Sequence, residues 1–127
     1  MESAETLEAY FALATAYQNL FAAYRKRGIN RNLNPNDKEL VDRSDGHLWH
    51  YYSVGADAMR VIINALLANS RQPPKSILDF PSGSGRVTRH LRAFFPEARI
   101  VASDLYDYHW ISVARRFKST VNYRGST

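Results

Sequence analysis

The sequence predicts an α/β fold, a parallel sheet of two to three strands preceded by a helical N-terminal cap. Three observations predict it. Before residue 75, apolar residues recur at spacings of three and four along two long runs, which is the helical period. From Lys75 the pattern changes to short apolar runs, Ile77-Leu78 and Ile100-Val101-Ala102, with a helical stretch between them. Strand, helix, strand, helix in succession calls for parallel strands joined by right-handed crossovers, with helices covering the sheet. Finally, Pro73-Pro74 stops the last cap helix, so the chain divides into a cap, 1–74, and a sheet-bearing part, 75–127, of one compact unit.

The first helix is drawn by Leu7, Tyr10, Phe11, Ala14, Tyr17, Leu20, Phe21 and Tyr24, one apolar stripe with Ser3 as its N-cap. Arg25-Lys26-Arg27 suits the negative end of the helix dipole, and Gly28 is the stop. The stripe reads as core; its sharper reading is a groove for a substrate or partner. Residues 30–36 read as a loop, and Asn34-Pro35 starts a helical turn through Val41. A loop–helix junction, His47-Leu48-Trp49-His50-Tyr51-Tyr52, leads into a helix over 52–69 carried by Val54, Ala58, Val61, Ile62, Ala65 and Leu66. Beyond the prolines, strands are expected at 76–80 and 99–104, helices at 85–95 and 107–117, and a third strand at 120–123.

Composition narrows the function classes. The chain has 127 residues, 45% of them hydrophobic, enough to bury a core as one unit. No run approaches the roughly 18 apolar residues that cross a bilayer, so no membrane association is expected. Glu2, Glu5 and Glu8 stand where an export signal would carry basic residues, which makes the cytoplasm the expected location. The absence of cysteine excludes disulfides, thiolate zinc sites and a cysteine nucleophile within the sequence. His47 and His50 have an H-x-x-H spacing without acidic or thiolate partners nearby, so no metal is expected.

The most informative segment is Ile77-Leu78-Asp79-Phe80-Pro81-Ser82-Gly83-Ser84-Gly85-Arg86-Val87, a buried strand, a glycine turn and a helix start in unbroken succession. Small residues let a ligand approach the backbone, and the free N–H groups of the helix start favour an anionic or electron-rich group. A second acid, Asp104, closes the next apolar run 21 residues after Gly83, where an α/β fold places a carboxylate for ribose hydroxyls. The plainer reading is a turn that joins strand to helix, with Asp79 capping the loop.

This arrangement resembles the first two strands of the class I S-adenosylmethionine-dependent methyltransferases, over residues 75–108. The family signature is an apolar strand ending in an acid, a GxGxG-type loop, and an acid ending the next strand. The resemblance implies a Rossmann-like sheet, S-adenosylmethionine as cofactor, and methyl transfer to an unidentified acceptor. It further implies that Asp79 and the loop Phe80, Pro81, Ser82, Gly83, Ser84 and Gly85 lie along the methionine half, with Asp104 on the ribose and Leu105 beside the adenine. Pro81 stands where the family's first loop glycine usually is, and Ser82 where a cysteine or another small residue is common. Helices before the first strand often roof the cofactor in that family, which makes Tyr51 and Tyr52 pocket-lining candidates; as residues alone they read as packing.

Other cradles fit less well. Gly85 is followed by Arg86-Val87, not by the Lys-Ser/Thr of a Walker loop. Counted from Gly83, a dinucleotide fingerprint would put Thr88 where Gly or Ala permits close packing, and Asp79 would repel a pyrophosphate. Through residue 74 eight basic residues balance eight acids, whereas from Lys75 nine face four. Arg86, Arg89 and Arg92 recur at helical spacing, and Arg115, Arg116, Lys118 and Arg124 crowd the end. They read as a solvated face, or as a patch for nucleic acid in an alternative, non-catalytic module that binds nucleic acid or a partner.

A seven-stranded sheet is implied by the resemblance, and at most three strands are available. The expectation is a fragment or truncated form, inactive alone, whose open sheet edge takes a second copy or a completing subunit. No catalytic residue is assigned. His50, His90 and His109 qualify as general bases by chemistry alone.

Overall fold

The computed structural model describes residues 4–34, 37, 40, 42–104 and 120–121. Helix α1 (Ala4–Arg27) and helix α2 (Asp45–Ala68) come first. Strand β1 (Ser76–Asp79), helix α3 (Thr88–Phe94), strand β2 (Arg99–Ala102) and the short strand β3 (Thr120–Val121) follow. The three strands are parallel in the order β1-β2-β3, with Ile77 opposite Ile100 and Asp79 opposite Ala102. The fold is therefore a small α/β arrangement with helices ahead of a parallel sheet.

Helix α1 ends as its sequence implies. Gly28 takes φ +73°, and its N–H donates to the Tyr24 carbonyl at 2.8 Å, a left-handed stop that a side chain would strain. The apolar stripe, however, is only half core. Leu13 and Tyr17 are buried and Leu20 and Tyr24 pack against the same cluster, whereas Leu7, Tyr10, Phe11 and Phe21 are exposed. Leu13 was not in the predicted stripe. The Tyr17 hydroxyl donates to the Arg71 carbonyl at 2.8 Å, which pins the middle of α1 to the segment after α2.

Helix α2 starts seven residues earlier than the predicted 52, so the aromatic and imidazole junction 47–52 is helix, not loop. The reason is a continuous seam, Leu48, Tyr51, Gly55, Met59, Ile62 and Leu66, at spacings of three and four. Ser44 precedes it in extended conformation without a side-chain cap. Its hydroxyl lies 3.1 Å from His47 Nδ1, and its N–H donates to Asp42 at 2.8 Å. At the other end Ser70, φ +53°, bonds to Leu67 while Arg71 N–H reaches Leu66, a Schellman closure with serine where glycine is usual.

Helix α3 is the hub. It is shorter than the predicted 85–95, because turns continue through Val87, and it is buried on nearly every side. Leu91 and Phe94 join Leu13, Tyr17, Met59, Phe95, Ala98 and Ile100 in one core between the cap helices and the sheet. Gly55 lets α2 come close, since a Cβ there would stand 2.5 Å from the Arg86 carbonyl and 2.5 Å from the His90 ring. The opposite face of the sheet is more open, with Leu78 at 65% exposure. No helix among the described residues is long and apolar enough to cross a membrane. Ser3 and the predicted helix over 107–117 lie outside the described residues, as do parts of the 34–41 turn and of the last strand.

Candidate site at the carboxyl ends of the parallel strands

The loop after β1 is built by its small residues. Gly83 and Gly85 take φ +53° and +90°, conformations that L side chains rarely adopt. Ser82 N–H donates to the Ser103 carbonyl at 2.9 Å, and Ser103 N–H to the Asp79 carbonyl at 3.0 Å, so strand pairing is carried past both strand ends into the loop. Gly85 N–H returns to the Ser82 carbonyl at 3.1 Å and closes the turn. Ser82, Ser84 and Gly85 are buried, Phe80 and Pro81 are exposed, and the peptide between those two is cis.

The two acids meet this loop from different sides. Gly83 N–H donates to the Asp104 carboxylate at 2.7 Å, across the 21 residues counted from the sequence. Asp79 accepts a short hydrogen bond from the Thr88 hydroxyl, and Thr88 is fully buried. The acid ending β1 is thus held by the first turn of α3, and the acid ending β2 by the loop backbone. Asp79, Ser82, Gly83, Ser84, Gly85 and Asp104 come together at one end of the sheet. Leu105 lies outside the described residues, as do His109 and the C-terminal basic cluster.

The arginines after the loop are not a solvated face. Arg89 is 1% exposed, and its guanidinium lies over the rings of Tyr51 and Tyr52 at 5.3 and 5.6 Å. Nε donates to the Gly85 carbonyl at 2.9 Å, one terminal nitrogen to the carbonyls of Asn30 and Asn32 at 3.0 Å each, and the other to the Tyr51 hydroxyl at 3.3 Å. Tyr51 in turn donates to the buried carboxylate of Asp37. Arg92 turns to the chain behind it and donates to the carbonyls of Pro96 and Ala98 at 3.1 and 2.8 Å. The fork of a guanidinium suits such carbonyl clusters.

Sequence reasoning missed Arg89 as a structural centre and missed Asp37 altogether. The available signal was a cation beside His90 and Leu91 in a helix that must lie between two cap helices and a sheet. Tyr51 is a packing residue beneath Arg89; Tyr52 also borders a pocket between α1 and α2. Among the histidines considered as bases, His90 is buried and shares a 2.7 Å hydrogen bond between Nδ1 and the Tyr24 hydroxyl. Burial, reinforced by the adjacent Arg89 guanidinium, pushes it down to about 4. His50 is exposed on α2. His47 sits 2.7 Å from Asp42, whose carboxyl is held at about 2 by hydrogen bonds from Ser44 and then His47. Comparison of the chain with protein families, with curated proteins and with solved structures finds no match.

Proposed function

We propose that this chain is the cofactor-binding part of an S-adenosylmethionine-dependent methyltransferase, built on a Rossmann-like sheet. The observation that carries the reading is the hydrogen bond from Gly83 N–H to the Asp104 carboxylate. It joins the glycine loop and the second acid at the carboxyl ends of two parallel strands, the end of an open α/β sheet at which ligands bind. The consecutive parallel order β1-β2-β3 supports the same reading.

The residues fit the group. Asp104 would accept the ribose hydroxyls, since a carboxylate can take several hydrogen bonds beyond the one from Gly83. Asp79, oriented by Thr88, would face the cationic methionine end with the loop Phe80 to Gly85, and Leu105 would lie beside the adenine. When bound, the cofactor would supply an electrophilic methyl group on its sulfonium. The chain's own part is positioning and exclusion of water, which supply much of the acceleration in an in-line displacement. His90 is a poor general base, being buried and already bonded to Tyr24.

The nucleic-acid reading loses support because Arg89 and Arg92 direct donors to backbone carbonyls. The test is calorimetric titration of the folded chain with S-adenosylhomocysteine and, separately, with NAD. Saturable binding of the first alone is expected, weakened at least about tenfold in Asp104→Ala and less in Asp104→Asn. A folded chain that takes up no S-adenosylhomocysteine, or both ligands equally, overturns the proposal.

A further inference from the structure

A pocket of about 520 Å³ lies between the C-terminal turn of α1, the segment after it, the first turns of α2, and His90. None of its described lining residues belongs to the glycine loop or is Asp104, so it is distinct from the site above. Its volume falls within the roughly 300–1,000 Å³ of small-molecule sites. Flat surface comes from Tyr52 and from Trp49, whose 73% exposure is the highest of any large hydrophobic residue described. Charge comes from Arg25 and Arg31, neither of which has a carboxylate partner among the described residues. The Arg31 guanidinium lies 5.6 Å over the Tyr52 ring, and the Tyr52 hydroxyl donates to the Arg31 carbonyl at 2.9 Å, so this cation is held against an aromatic wall. His90, 2% exposed, adds a buried polar group to the lining.

We propose that this pocket binds a small planar aromatic carboxylate, its ring against Trp49 and Tyr52 and its carboxylate on Arg25 and Arg31. Aromatic faces take up a flat ring by offset stacking, and guanidinium forks match a carboxylate in two-point contact. Asp45, the one acid among the described lining residues, offsets one of the two cations. The remaining single positive charge suits a monoanion, whereas a phosphate dianion would bring a second negative charge with no cation to meet it.

The experiment is ligand-detected NMR on the full chain without cofactor, so that its outcome is independent of the glycine-loop reading. The probe is indole-3-carboxylate; the comparators are neutral indole, non-aromatic cyclohexanecarboxylate and phenyl phosphate. Saturable one-site binding of the probe is expected, with indole and cyclohexanecarboxylate each at least about tenfold weaker. Trp49→Ala and Arg31→Ala are expected to weaken the probe by the same factor while leaving a cooperative thermal transition, because both residues are exposed. The proposal is overturned by absence of saturable binding at millimolar probe, by binding that survives both substitutions, or by tighter binding of cyclohexanecarboxylate or phenyl phosphate.

Discussion

Arg89 spends its guanidinium on three carbonyl oxygens and a phenol, in a place that water barely reaches. A hydrogen bond from a charged donor contributes about 1.5–3 kcal/mol, and those to Asn30 and Asn32 are partly buried. Arg89→Met, which keeps the bulk and removes the donors, should therefore lower stability by about 3 kcal/mol or more in urea unfolding; a loss below about 1 kcal/mol would mean the carbonyls find other donors. Its neighbour His90 makes a pH prediction. The folded ring titrates at about 4 against 6.5 for a free one, so between these values the unfolded chain binds the extra proton. Stability from this group is complete at pH 7 and declines as pH falls through 6.5 toward 4, by up to about 3 kcal/mol. His90→Gln should flatten that part of the stability curve, and equal slopes for both chains would refute the assignment. In the sequence Arg86, Arg89 and Arg92 show a helical spacing but no depth. A helix surrounded on both sides turns the same spacing from a wet face into a scaffold.

Among the elements, the α2–α3 crossing depends on Gly55. A methyl group there meets backbone at 2.5 Å, so the helices must part. Gly55→Ala should cost about 1–3 kcal/mol, whereas Gly46→Ala, with nothing within 4 Å, should gain about 0.5 kcal/mol. Thermal melts of the two variants moving in the same direction would contradict this. Helix α1 shows what periodicity could and could not tell. Its 24 residues span about 36 Å, and the seven of α3 about 10 Å, so α3 covers only a part of the stripe. Tyr17 falls under that cover and Phe11 beyond it, at 3% and 61% exposure. Elsewhere α1 and α2 leave an apolar groove of about 530 Å³ between them. The strands, their parallel sense and the glycine loop were legible because each is written locally, in short apolar runs and in residues that tolerate positive φ. The start of α2 was not, since its first two turns are aromatic and amphipathic rather than simply apolar.

Taken whole, the molecule has one core shared by elements distant in sequence, with Leu13 and Tyr17 of α1, Met59 of α2, Phe94 of α3 and Ile100 of β2 in one cluster. A fragment beginning at Lys75 would keep the loop and both acids but lose the cap side of this core. It should show no cooperative thermal transition, against a cooperative one for the full chain; a sharp transition in the fragment would show that the sheet side folds alone. The candidate site was readable as a motif for the same reason that it is not self-sufficient. The acids and glycines lie within about 25 residues, whereas Arg89, which bonds the loop at Gly85, is anchored at Asn30, 59 residues from it.

The bond from Arg89 to the Gly85 carbonyl carries a consequence for motion. The same side chain bonds residues 30 and 32, so it ties the loop to the cap. Two glycines would ordinarily make the turn the softest part of its surroundings. Here part of its stiffness should come from the cap, so that loop opening is expected to be coupled to opening of the cap.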